Sequence, residues 1–254
     1  MIFDLQKASM WKRASAALFD IILLSIAIVG FSFLLSSVLG FDKHNTALNE
    51  AYETYETKYG VTFDITEEEY YAMSEDDLKK YNDAYAELIA DEEAMHAYNM
   101  VVNLTLLIIS FSILLAYIVF EFVIPIRLGN GQTLGKKIFG AALMRVDGVK
   151  ITAPLLFIRT ILGKFTIETM IPVLICIMIF FNSIGIVGIL IIGLILLLQI
   201  ILLIVTKTNS AIHDVLAKTV VVDFASQMIF EDEEALVEYK KKVYAEKANR
   251  EAYF

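Results

Sequence analysis

Three acidic side chains, Asp20, Glu121 and Glu168, stand in stretches of sequence that are otherwise nearly free of charge. An ionised carboxylate among apolar neighbours must find a counter-charge or neutralise by shifting its pKa, because an unpaired buried charge costs several kcal/mol. Each acid is therefore either the fixed half of an ion pair that holds helices in register or a titrating group that takes a proton or a cation from a water-filled cavity. Bases lie at helical spacing from two of them. Arg13 precedes Asp20 by seven residues, on the same helix face and about 10 Å along the axis. Lys164 precedes Glu168 by four, a neighbour that can pair with it, and Arg159 is a further partner in reach of the same region.

His213-Asp214 is the other constellation. One His beside one Asp falls short of the three or four ligands of a metal site, and no Ser or Cys is arranged with it as an activated nucleophile. A run from Gly129 to Lys137 has the glycines and lysine of a phosphate-cradling loop. However, five residues separate Gly129 from Gly135, and Lys137 stands where that loop needs Ser or Thr. No enzyme, metal or cofactor is expected.

These side chains need a scaffold, and its nature follows from the charge-free stretches. Hydrophobic residues make up 57% of the 254 positions, above the roughly 45–50% of soluble domains, which points away from a soluble enzyme. One cysteine, Cys176, excludes an internal disulfide, and 30 acids against 21 bases disfavour nucleic acid as a partner. From Ala14 to Phe41 the only charge is Asp20; Ala97 to Phe120 carries none; Thr169 to Thr206 carries none over 38 residues. A hydrocarbon core about 30 Å thick takes about 20 helical residues, so the last stretch is two spans folded at Asn182, Ser183 and Gly185. Lys7, Lys12 and Arg13 before the first run resemble a signal-peptide flank. The run exceeds the usual apolar length of about 7–15 and ends in no A-x-A site, so it reads as an uncleaved span.

The fold expected is an all-α integral membrane protein with four transmembrane helices, an extracellular acidic helical insertion, and a short cytoplasmic β-hairpin plus interfacial helix. Its segments are the first span (1–41), the acidic cap (42–96), the second span (97–126), a basic loop with the interfacial helix (127–164), the third and fourth spans (165–206) and a tail helix (207–254). The acidic cap holds 16 acids against 4 bases, whereas residues 127–164 hold 7 bases and one acid. Positive loops stay inside, which puts both termini and the basic loop in the cytoplasm of a multi-pass cell-membrane protein. Thr66-x-x-Glu69 and Ser74-x-x-Asp77 read as helix starts in the cap. Ala142 to Thr152 reads as a hairpin turning at Asp147-Gly148, and Leu155 to Lys164 as the interfacial helix.

The pieces in this order resemble the RDD family of membrane proteins, named for one arginine and two aspartates. The matching stretches are Trp11 to Asp20, Gly131 to Gly140, Arg159, and Ile212 to Val222. The resemblance places the named arginine on Arg13 and the aspartates on Asp20 and Asp214. Phe19 stands where the family usually has Ile or Val, and Lys218 where it often has Gly. Transport has been suggested for the family, and sodium/proton antiport for some members. The resemblance thus implies movement of a small cation, Na⁺ or H⁺, with Asp20 titrating, Arg13 biasing it and Asp214 at the cytoplasmic exit. Four spans are few for alternating access, so a homodimer is expected. The alternative is a non-transporting scaffold that recruits a partner through its cap or tail.

Overall fold

The computed structural model describes residues 5–252. In chain order its elements are α1 (Met10–Leu39), α2 (Phe41–Tyr59), α3 (Glu67–Ala72), α4 (Glu75–Ala90), α5 (Glu92–Leu128), α6 (Leu134–Ile138), β1 (Ala141–Arg145), α7 (Ala153–Phe180), α8 (Gly185–Val205), α9 (Ile212–Leu216), β2 (Thr219–Asp223) and α10 (Glu233–Ala252). Four of these, α1, α5, α7 and α8, are long and apolar enough to cross a bilayer. The turn between α7 and α8 falls where polar residues cluster: Asn182 and Gly185 both take positive φ, at 52° and 46°. Residues 1–4 and 253–254, the outer ends of the first and last expected segments, lie outside the described residues.

The chain divides into two compact units, residues 5–28 with 113–252, and residues 29–112. In the second, α2 and α4 pair around Leu48, Ala84 and Leu88. Phe63 gathers the tyrosines, its ring 5.8 Å from Tyr52 and 5.6 Å from Tyr81. Both expected helix starts are present. The Thr66 hydroxyl accepts the Glu69 N–H while the Glu69 carboxylate accepts the Thr66 N–H, and Ser74 accepts the Asp77 N–H. Lys58 pairs with Glu87 at 2.5 Å, and the Tyr59 hydroxyl donates to the same carboxylate.

In the first unit a small antiparallel sheet replaces the expected hairpin. The tight turn at Asp147-Gly148 exists, with Arg145 N–H donating to the Val149 carbonyl, but only Met144 and Lys150 bridge across it. The full partner of β1 is β2, from the far end of the chain, in register Ala141 with Asp223 through Arg145 with Thr219. The physical reason is apolar content. Val220, Val221 and Val222 bury fully against Ala141 to Met144, a pairing that Lys150 and Thr152 could not match. Lys7 adds a bridge on the other side of Val222.

The run Leu155 to Lys164 is not a separate interfacial helix but the opening of the continuous helix α7. Pro154 sits in the first turn, where its missing N–H is harmless, and no further proline follows before Pro172. Within α5, residues Ile118–Val123 widen to π-helical bonding, and within α7, Ile158–Met170 do the same. Each widened stretch leads into a proline that follows an acid by four residues, Glu121 before Pro125 and Glu168 before Pro172. Pro125 has no N–H for the Glu121 carbonyl, and the Thr160 hydroxyl of α7 donates to that oxygen instead at 2.9 Å. The loss of one helical bond thereby becomes a tie between α5 and α7.

Candidate functional site

All the ionisable residues singled out above meet in the first unit. Asp214, on the first turn of α9, receives Arg159 Nη2 at 3.0 Å and Nε at 3.1 Å on Oδ1, and Arg13 Nη2 at 3.6 Å on Oδ2. The Thr219 hydroxyl donates to it at 3.1 Å. Burial alone would raise this carboxyl, but the guanidinium of Arg159, with His213 and Arg13 beside it, holds it well below the usual carboxylate range. Arg13 also donates to the Thr208 carbonyl at 3.3 Å. The expected coupling of Arg13 to Asp20 is thus replaced by a pairing of the arginine with the second aspartate.

Asp20 turns instead to the start of α6. Its carboxylate accepts the Thr133 hydroxyl and, at 2.8 Å, the Gly135 N–H, while Thr133 also caps α6 by accepting the Lys136 N–H. This contact requires Gly135. A Cβ there would overlap the Ala16 carbonyl oxygen and stand 2.9 Å from the Asp20 carboxyl carbon. α1 and α6 therefore touch backbone to backbone at the aspartate.

Lys164 pairs across helices with Glu121, Nζ to Oε2 at 2.7 Å, rather than with Glu168 one turn along its own helix. The widened turn of α7 changes which residues stack, so spacing in an ideal α-helix misassigns the partner. Glu168 meets His213, whose Nδ1 lies 2.7 Å from Oε2 and whose backbone N–H donates to Oε1 at 3.0 Å. A carboxylate only accepts, so Nδ1 carries the proton. Burial first, then the charge of Arg159, pushes the imidazole below its ordinary value and keeps it neutral near pH 7. Gly163 allows this approach: a Cβ on it would stand 2.5 Å from the His213 Cβ.

Lys136 is the residue the sequence reading passed over. Its side chain is buried, residue exposure 7%, and its Nζ reaches only the Thr133 hydroxyl at 3.4 Å; among the described residues it forms no ion pair. Burial above all, then the nearby Lys164, pushes its ammonium down to about 7 against the pull of Glu121. The one available signal is the Gly-Gln-Thr-Leu-Gly-Lys-Lys stretch itself, glycine-bearing and with a Thr at a helix-capping position, whose resemblance to a phosphate loop hides a buried base.

A cavity of about 240 Å³ opens among these groups, lined by Arg13, Asp20, Lys136, Arg159, Lys164, His213 and Asp214 together with apolar residues of α1 and Leu203 of α8. Among the described residues no cluster of three or more His, Cys, Asp or Glu side chains could hold a metal ion.

Four apolar spans, of which α1, α5 and α7 carry buried ion pairs beside a polar cavity, define a multi-pass membrane protein. Residues 7–218 match the RDD family, and the chain belongs to that family. No curated protein and no solved structure matches it.

Proposed function

We propose that this RDD-family protein moves protons, coupled to a small ion, across the cell membrane through the cavity beside Asp20. The observation that supports this is the cavity itself, faced by seven ionisable side chains. Asp20, Lys136 and His213 are the proton-exchanging groups, and Asp214 with its two arginines fixes the local field. Sodium/proton exchange is the finer form of this reading. In it, a sodium ion competes for carboxylates that already hold hydrogen-bond or cationic partners, whereas a proton need only shift along those contacts. The basic 127–164 loop and both termini face the cytoplasm by the positive-inside rule, and two copies assemble to supply enough spans.

The test is reconstitution into liposomes holding a pH dye. The wild type should dissipate an imposed pH gradient faster than empty liposomes, and a sodium gradient should alter the rate if sodium is the coupling ion. Asp20→Asn, shown folded by its thermal midpoint, should lose that flux and Asp20→Glu should regain part of it. Wild-type flux equal to that of empty liposomes under both gradients would overturn the transport reading. It would favour the scaffold alternative, in which the pairing of every carboxylate in the cluster serves packing alone.

A further inference from the structure

We infer that the cavity takes a phosphate-bearing anion, held by Lys136 with Arg13 and Arg159. The charge on the wall carries the inference. Four cationic side chains face the space, Arg13, Lys136, Arg159 and Lys164, against two carboxylates, Asp20 and Asp214. Glu121 answers Lys164 from behind the wall, Asp214 is shared by the two arginines, and Glu168 is matched to His213. Asp20 spends its oxygens on the Thr133 hydroxyl and the Gly135 N–H. Lys136 is left over, a buried base with a single long hydrogen bond.

A buried ammonium with no carboxylate in ion-pair contact is unfavourable, and an anion in the adjoining space would relieve it. The space is ample: one water needs about 15 Å³, against the cavity's 240 Å³. Two guanidiniums and an ammonium lining one cavity suit an anion with several oxygens better than a single-atom halide, since each base can take its own oxygen. Apolar residues of α1 and α8 share the lining, so the phosphate group of an anionic lipid fits the chemistry as well as a free phosphate does.

The inference rests on reading the cavity as the working site, and binding separates it from transport. Purified protein in a neutral detergent is unfolded thermally with inorganic phosphate, with phosphatidylglycerol in mixed micelles, or with phosphatidylcholine and chloride as controls at constant ionic strength. Phosphate, phosphatidylglycerol or both should raise the wild-type midpoint by several degrees; which one does so identifies the source. Lys136→Met strands no carboxylate, so it should fold with an equal or higher midpoint without ligand, and its apparent affinity should fall about tenfold or more. Lys136→Arg should retain the response.

Sulfate, doubly charged throughout, gives an independent measurement on the wild type. Its stabilisation should shrink from about pH 6 to about pH 9 as Lys136 deprotonates among Arg13 and Asp20 of α1, Glu121 of α5, Arg159 and Lys164 of α7, and His213 of α9. No shift with phosphate or phosphatidylglycerol, equal shifts in wild type and Lys136→Met, or a sulfate effect indifferent to pH would overturn the inference. Binding without proton flux would remove only the transport reading, and flux without binding only this one.

Discussion

Arg159 and Asp214 lie 55 residues apart in sequence and meet at 3.0 Å, with side chains 2% and 1% exposed. Breaking a buried pair by removing one partner strands the other charge and costs about 3–5 kcal/mol. The two removals are not equivalent here, because Arg13 also reaches Asp214 at 3.6 Å. Asp214→Asn leaves two arginines unanswered and should cost the full amount, whereas Arg159→Met leaves Asp214 with Arg13 and should cost less. Denaturant unfolding in detergent measures both, and equal losses would contradict the shared pairing.

The same carboxylate predicts an acid limb. Its folded-state pKa is depressed, so the stability it contributes is present above the unfolded value near about 4 and is lost as pH falls through the lower folded value. The wild type should therefore lose stability on acidification below about pH 4 more steeply than Asp214→Asn does. Parallel acid limbs in the two proteins would show that the pair does not supply that slope.

Two glycines set how closely the elements of the cluster approach. Gly135→Ala drives a Cβ into the Ala16 carbonyl, and Gly163→Ala drives one to 2.7 Å from the His213 Cα. Backbone obstructs both, so neighbours cannot swing aside, and each should cost at least the roughly 1–3 kcal/mol of an overpacked core. Gly193, with nothing within 4 Å of its added Cβ, is the control. Alanine there should be neutral or stabilising by about 0.5–1 kcal/mol, through helix propensity. Thermal midpoints of the three variants suffice to rank them.

The number of spans was legible because charge-free length is a one-dimensional property: α1, α5 and α8 cover gaps between charges, whereas α7 begins at Ala153 and takes in Arg159, Lys164 and Glu168 before its charge-free part. Partners were less so. Lys164 four residues before Glu168 looks like a pair only if α7 is an ordinary α-helix, and its widened stretch sends the lysine to Glu121 and leaves the glutamate to His213. The pairing of β1 with β2 is a long-range contact between short strands, and the local turn at Asp147-Gly148 masked it. One sequence departure does have a local explanation. Lys218, where the family often has glycine, adopts φ 51° just before β2, a left-handed conformation that costs a side-chain-bearing residue about 1–2 kcal/mol. Lys218→Gly should raise stability by up to about 1 kcal/mol, since glycine gives back part of that gain in unfolded-chain entropy. A lower midpoint would count against strain at this residue.

The buried lysine gives the last prediction, and its sign is opposite to that of a lysine gaining a partner. Lys136 falls from 10.5 to about 7 in the folded protein, mainly through burial. Between these values the unfolded chain holds a proton that the folded chain has released, so stability rises with pH across the window, by at most about 1.4 kcal/mol per pH unit. Below about 7 both states are protonated and the folded protein carries the whole penalty of the buried charge. The penalty eases only as the pH climbs toward 10.5. Other lysines and tyrosines titrate in the same range, so the informative quantity is the difference between wild type and Lys136→Met. That difference should favour the variant near neutral pH and close steadily toward pH 10 or so. Measured in anion-free buffer by denaturant unfolding at several pH values, a difference that stays constant would mean that Lys136 keeps its proton in the fold.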